Sequence, residues 1–156
     1  FPSAEAVAGL AEDDGRLPGM PVSRRRTLLH LARALSQGQV DLGPGAGWAE
    51  ARSALAGLPG IGPWTTEIIA MRALRDPDAF PSSDLGVIRS AAAVGLPSRP
   101  GELERHARAW RPWRSYATQL LWASGDHEVA RLPGPAGAGI PTHPSHPEPD
   151  SLTEAS

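Results

Sequence analysis

Apolar residues recur at helical spacing along most of the chain, and no stretch shows the apolar/polar alternation of a half-buried strand. Leu28, Leu31, Ala32 and Leu35 form one stripe, which predicts a helix to about Gln37 with Ser23 as its N-cap. Upstream, an Ala-rich stretch from Ser3 to about Asp14 lies between Pro2 and Gly15 and reads as a short helix. A loop at 43–47 precedes a third helix from about Trp48 to Gly57, and Pro63 suits the first position of a fourth reaching about Arg75. Val87, Ile88 and Ala91 give a fifth helix, near Asp84 to Val94, an inward face, and Gly95 ends it. Two more helices follow, about Pro100 to Trp110 and Pro112 to Gly125. In the last, Trp113, Ala117 and Leu120 are the expected packing face, with Trp122 turned to the opposite side.

The fold class implied is all-α, with residues 1–131 as the domain. From 132 to 156 Pro and Gly dominate and aromatics vanish, the composition of a disordered tail. His143 and His146 lie in that tail among prolines, without a carboxylate held beside them, and do not read as a metal site.

Composition removes several chemistries. The 156 residues contain no Cys, which excludes disulfides, thiolate nucleophiles and Cys-held clusters or zinc. Every basic residue is Arg, so a Lys amine is unavailable as a covalent nucleophile. The net charge of −2 becomes +1 over residues 1–131, where 15 Arg meet 14 acids. Such a balance leaves no broad electrostatic footprint for nucleic acid, so any DNA contact has to be local. No run of 18 apolar residues is present. The chain opens at Phe1 without a signal-like segment and reads as a piece of something longer.

Three features carry candidate chemistry. The run Leu58-Pro59-Gly60-Ile61-Gly62-Pro63-Trp64-Thr65 places a Gly-rich turn between two helices. Exposed N–H groups of Gly60, Gly62, Trp64 and Thr65 at a helix start suit a DNA phosphate; the same turn also serves as a plain helix connection. Asp84 follows Pro81-Ser82-Ser83 at the head of an apolar stripe. It is either a cap, a role that Ser82 or Ser83 is also able to fill, or a functional carboxylate. There, burial raises its pKa and the positive helix end lowers it. Trp122, off the expected packing stripe, covers another element or lines a cleft, whereas Trp64 shares a stripe with Ile68 and Met71 and reads first as core. Arg24, Arg25 and Arg26 read as a solvated helix start, and Arg111 and Arg114 as surface cations.

Together, Leu58 to Thr65, Phe80-Pro81-Ser82-Ser83-Asp84, and Trp110-Arg111-Pro112-Trp113-Arg114-Ser115-Tyr116-Ala117 with Trp122 beyond resemble the helix-hairpin-helix DNA glycosylases. The likeness is to the C-terminal part of the bacterial 3-methyladenine DNA glycosylase II, or AlkA-type, family, and covers about residues 1 to 125 in order. It implies base excision repair: an alkylated purine flipped from double-stranded DNA and its N-glycosidic bond hydrolysed, without a cofactor, in a nucleoid-associated, bacterial-type cytoplasmic setting. The essential aspartate maps to Asp84. The base-pocket tryptophans map to Trp64 and Trp122. Leu58, Gly60, Ile61, Gly62, Trp64 and Thr65 map to the DNA-gripping hairpin, with main-chain carbonyls of Ala56, Leu58 and Ile61 where the family often holds a monovalent cation.

Relatives that also nick the strand carry Lys where Trp64 stands, so the resemblance implies a monofunctional enzyme, and the lack of Cys excludes the iron–sulfur relatives. Ile68 and Leu85 occupy positions that hold tyrosine in the best-known type, implying a more aliphatic pocket. The family's N-terminal domain is expected as a partner missing from this chain, and without it the fragment is expected to act weakly or not at all. The alternative is a non-catalytic helix-hairpin-helix module that only holds DNA.

Overall fold

The computed structural model describes residues 2–17 and 19–125. The expected tail at 132–156, with His143 and His146, therefore lies outside the described residues. Among those described there are seven α-helices, one 3₁₀ turn and no strand: α1 Ala4–Ala8, α2 Val22–Ser36, α3 Trp48–Ala56, α4 Pro63–Arg72, α5 Leu85–Ala93, α6 Pro100–His106, the 3₁₀ turn Ala107–Trp110, and α7 Arg114–Ser124. No described helix is long and apolar enough to cross a membrane.

Local chemistry moves several boundaries from those expected. Ser3 caps α1, its hydroxyl accepting from the Ala6 N–H, but the helix closes at Gly9, well short of Asp14. At α2 the N-cap is Pro21 rather than Ser23; the Pro21 carbonyl receives the Arg24 and Arg25 N–H groups. α4 stops at Arg72 because Arg75 takes a positive φ of 55°, and the chain turns back so that Asp76 N–H reaches the Ala70 carbonyl at 3.1 Å. Gly95, with φ 78°, ends α5 as expected and lets Leu96 N–H bond the Ala91 carbonyl.

Burial collects in three clusters. Ala34, Val40, Leu55 and Ile61 join α2, α3 and the turn after α3. Ala51, Ala70, Met71, Leu74 and Ala79 join α3 and α4 to the 73–84 connection. Phe80, Val87, Ala91, Leu103, Ala107 and Leu121 join that connection to α5, α6, the 3₁₀ turn and α7. Trp122 packs against both the second and third clusters, so one indole bridges the two halves of the core.

The inward face of α7 is not the one that apolar spacing indicates. Trp113 and Leu120 are 59% and 71% exposed, Ala117 is only half-buried, and Ser115, Thr118 and Leu121 are buried instead. Small hydroxyl side chains are accepted inside because each is satisfied. Ser115 Oγ donates within reach of the Asp76 and Ala79 carbonyls (2.6 and 3.0 Å), and Thr118 Oγ1 donates to the Arg114 carbonyl. Seating α7 against the connection by hydrogen bonds draws Trp122 inward on the same side.

Candidate active site

The turn between α3 and α4 combines one strained glycine with one open one. Gly60 has φ 87°, and a Cβ there would strike the Thr27 side chain of α2, so the turn is pressed onto the neighbouring helix. Gly62 has an ordinary φ of −93° and caps α4, with nothing near an added Cβ. Glycine is thus required at 60 by the backbone, whereas at 62 it leaves the helix start unobstructed. Ile61, 7% exposed, anchors the turn in the core, and its N–H closes on the Leu58 carbonyl at 3.1 Å. Among the described residues the N–H groups of Gly60, Gly62, Trp64 and Thr65 donate to nothing, so the start of α4 presents free donors at the positive helix end. The Ala56 and Ile61 carbonyls accept no hydrogen bond there, and Leu58 accepts one. Such neutral oxygen donors fit a hard monovalent cation.

Asp84 caps α5 itself, in place of Ser82 or Ser83: its Oδ1 accepts from Val87 N–H at 3.0 Å. The same Oδ1 accepts from the Trp122 indole Nε1 at 2.9 Å, and Oδ2 accepts from the Trp64 Nε1 at 2.9 Å. Burial pushes this carboxyl upward, yet the Trp122 indole, the Val87 and Gly86 amides and the Trp64 indole together outweigh burial and hold it below the usual aspartate range. A fixed anion at neutral pH results.

Sequence periodicity put Trp64 in the core. It is instead 46% exposed, its indole reaching across to the next helix. Ile68 is half-buried one turn along α4, and Leu85, 65% exposed, follows Asp84 directly. The Arg72 guanidinium lies 5.6 Å from the centroid of the Trp122 ring, a cation already seated on one indole.

Several side chains take roles that spacing did not reveal. Arg114, only 12% exposed, forms a bidentate pair with Asp78 (2.6 and 2.7 Å), which makes it a structural tie instead of a surface cation. Arg111 reaches the same carboxylate at 3.5 Å, and Arg26 pairs with Glu12. Arg52 of α3 bridges Glu67 of α4 and the buried Asp76. These pairs span 14 to 36 residues, and nothing in local spacing flags them. Among the described residues no group of three or more His, Cys, Asp or Glu is placed to hold a metal ion.

Helix, Gly-rich turn, helix, and then an aspartate capping the next helix beneath two indoles define a helix-hairpin-helix module. No family model matches the chain. Its sequence is 48% identical over 133 residues to the probable bifunctional transcriptional activator/DNA repair enzyme AlkA of Mycobacterium tuberculosis, covering 85% of this chain and 26% of that protein. It is 30% identical over 122 residues to DNA-3-methyladenine glycosylase 2 of Escherichia coli, covering 78% of this chain and 42% of that one. The fold is shared with the Schizosaccharomyces pombe 3-methyladenine DNA glycosylase solved in complex with abasic DNA (TM-score 0.66, 24% identity, 79% of this chain and 63% of that one). Over most of its length the chain is thus similar to a part of helix-hairpin-helix DNA glycosylases of AlkA type, and it spans between about a quarter and under half the length of these two curated relatives.

Proposed function

We propose that this chain is the helical catalytic part of a monofunctional DNA glycosylase, which hydrolyses the N-glycosidic bond of alkylated purines and leaves an abasic site. The observation carrying this reading is the convergence of the Trp64 and Trp122 indole N–H groups on the two oxygens of Asp84. Cleavage of the base from deoxyribose develops positive charge on the sugar, and a half-buried, fixed carboxylate stabilises that cation.

The lowered pKa of Asp84 keeps the carboxylate ionised at neutral pH. As an anion whose two oxygens are held by indole and backbone N–H groups, it is placed to act by electrostatics on the sugar cation. An alkylated purine is itself cationic and leaves without a general acid. The electron-rich faces of Trp64 and Trp122, with the aliphatic Ile68 and Leu85, select it by stacking and cation–π attraction. Unbonded N–H groups at Gly60, Gly62, Trp64 and Thr65 hold the strand, and the carbonyls of Ala56, Leu58 and Ile61 would hold a monovalent cation, which adds positive charge next to the phosphate. With no Lys in the chain, no Schiff base to the abasic sugar forms through that residue.

The test is incubation with methylated duplex DNA. Free methylated purine is expected, with strand breaks appearing only after alkali. Base release accompanied by a direct nick refutes the monofunctional assignment; DNA binding without any release, by the chain joined to its full-length context, favours the purely DNA-holding module.

A further inference from the structure

Glu67 lies on α4 three residues after Trp64, so the two side chains leave neighbouring points of one helix surface. Both reach the connection that leads to Asp84. Trp64 holds the Asp84 carboxylate itself, and Glu67 Oε2 accepts from the Phe80 N–H at 2.8 Å. Three residues lie between these attachment points, and they have little slack. Phe80 is buried in the α5–α7 cluster, Pro81 is among the fully buried side chains, and Asp84 N–H closes on the Pro81 carbonyl at 2.9 Å.

Glu67 is in turn braced. Its Oε1 accepts from Arg52 Nε at 2.9 Å and its Oε2 from Arg52 Nη2 at 3.3 Å, and the same Nη2 reaches Asp76 Oδ2 at 2.6 Å, Asp76 being 4% exposed at the start of the same connection. Asp76 Oδ1 accepts from Asp78 N–H at 2.7 Å, and Asp78 carries Arg114 of α7. The connection is therefore gripped near both ends by charges from α3 and α4, the two helices that flank the Gly60 turn.

We infer that Glu67 is a positioning residue for Asp84: by fixing the Phe80 amide against α4 it sets where the carboxylate meets the Trp64 and Trp122 indoles. The inference rests on the glycosylase reading for its catalytic consequence alone. An ion pair that merely ties α3 to α4 explains the Arg52 contacts but not why Oε2, 3.3 Å from Arg52, lies closer, at 2.8 Å, to the amide that enters the Asp84 segment. It also predicts a different outcome on substitution.

The experiment follows the indole N–H resonances by nitrogen-15 NMR, with Asp84→Asn identifying the Trp64 and Trp122 signals. Glu67→Ala is expected to displace both signals and to raise the pH at which they titrate with Asp84. Glu67→Gln keeps an oxygen for the Phe80 amide and is expected to leave them near their original positions although its pairing with Arg52 is weakened. Should Glu67→Ala fail to fold, Glu67→Asp, one methylene shorter at the same charge, takes its place with the same expectation. Single-turnover excision by Glu67→Ala is expected to fall about 10- to 100-fold at unchanged DNA affinity, the scale of an ångström-sized misplacement. A folded Glu67→Ala, or its Asp substitute, with lowered thermal stability but unmoved indole signals overturns the inference and leaves Glu67 a plain structural tie. Signals that follow Glu67 while Asp84→Asn excises normally keep the positioning role and remove the catalytic one.

Discussion

Asp84→Asn is expected to slow excision of methylated purines by about 10²- to 10³-fold, the loss found when a single preorganised electrostatic contributor is removed. Asn is as good an N-cap as Asp, so the Val87 N–H keeps its acceptor and α5 keeps its start. What changes is charge: the amide cannot answer a sugar cation. With the oxygen kept for Val87 and Trp122, its NH₂ takes the place of Oδ2 and faces the Trp64 indole donor, so Trp64 loses its partner. DNA affinity should stay within about 3-fold, since the free N–H groups of the Gly60 turn are untouched. Normal excision by a folded Asp84→Asn protein, measured in single turnover, removes the carboxylate from the mechanism.

The same carboxylate gives a signed pH expectation. Its folded pKa lies below the unfolded value, so its favourable interactions are fully present above about pH 4 and are lost as pH falls through the lower folded value. Excision limited by Asp84 ionisation should therefore remain level from pH 7 down to about pH 5. An acid limb already falling between pH 6 and 7 would assign the titration to another group.

Gly60→Ala is expected to destabilise the fold by about 2 kcal/mol and to lower Tm by about 5–10 °C. Two costs add here: an L-residue is strained at φ 87°, and the new methyl meets Thr27 on α2. Thr27→Ala in that background should restore the second part and not the first, so recovery near half is the expected result in thermal melts. Full recovery would mean that the positive φ costs nothing. Gly62→Ala makes the contrast, because its φ is ordinary and the space around it is empty. Stability should change by no more than about 0.5 kcal/mol. DNA binding should nevertheless weaken about 10-fold if the proposed phosphate site is right, since a methyl then stands where the strand approaches closely.

Much of this could be read along the chain because it depends on neighbours in sequence. Helical spacing, Pro63 at a helix start, Gly95 at an end, and the Val87–Ala91 stripe act within a few residues of themselves, so the all-α class and the order of the helices followed from the amino acids. The Gly-rich turn and Asp84 were legible for the same reason, one as a backbone requirement and the other as a carboxylate at a helix start. Boundaries slipped where a single turn competed with propensity, as at Gly9 and Arg75.

Which face of α7 turns inward was decided otherwise. Apolar counting favoured Trp113 and Leu120, but the carbonyls of Asp76 and Ala79 offered acceptors to Ser115, and satisfying a buried hydroxyl outweighed covering an indole. That rotation brings Trp122 to Asp84 across 38 positions of chain, while Trp64 arrives across 20. Glu67, Arg52 and Asp76 likewise meet only through the packing of α3 and α4 against the connection. The sequence by itself determined the helices, the turn and the carboxylate, because each is set by short-range geometry. Tertiary structure alone decided what surrounds that carboxylate, because its charge is held by hydrogen-bond donors that converge from three separate helices.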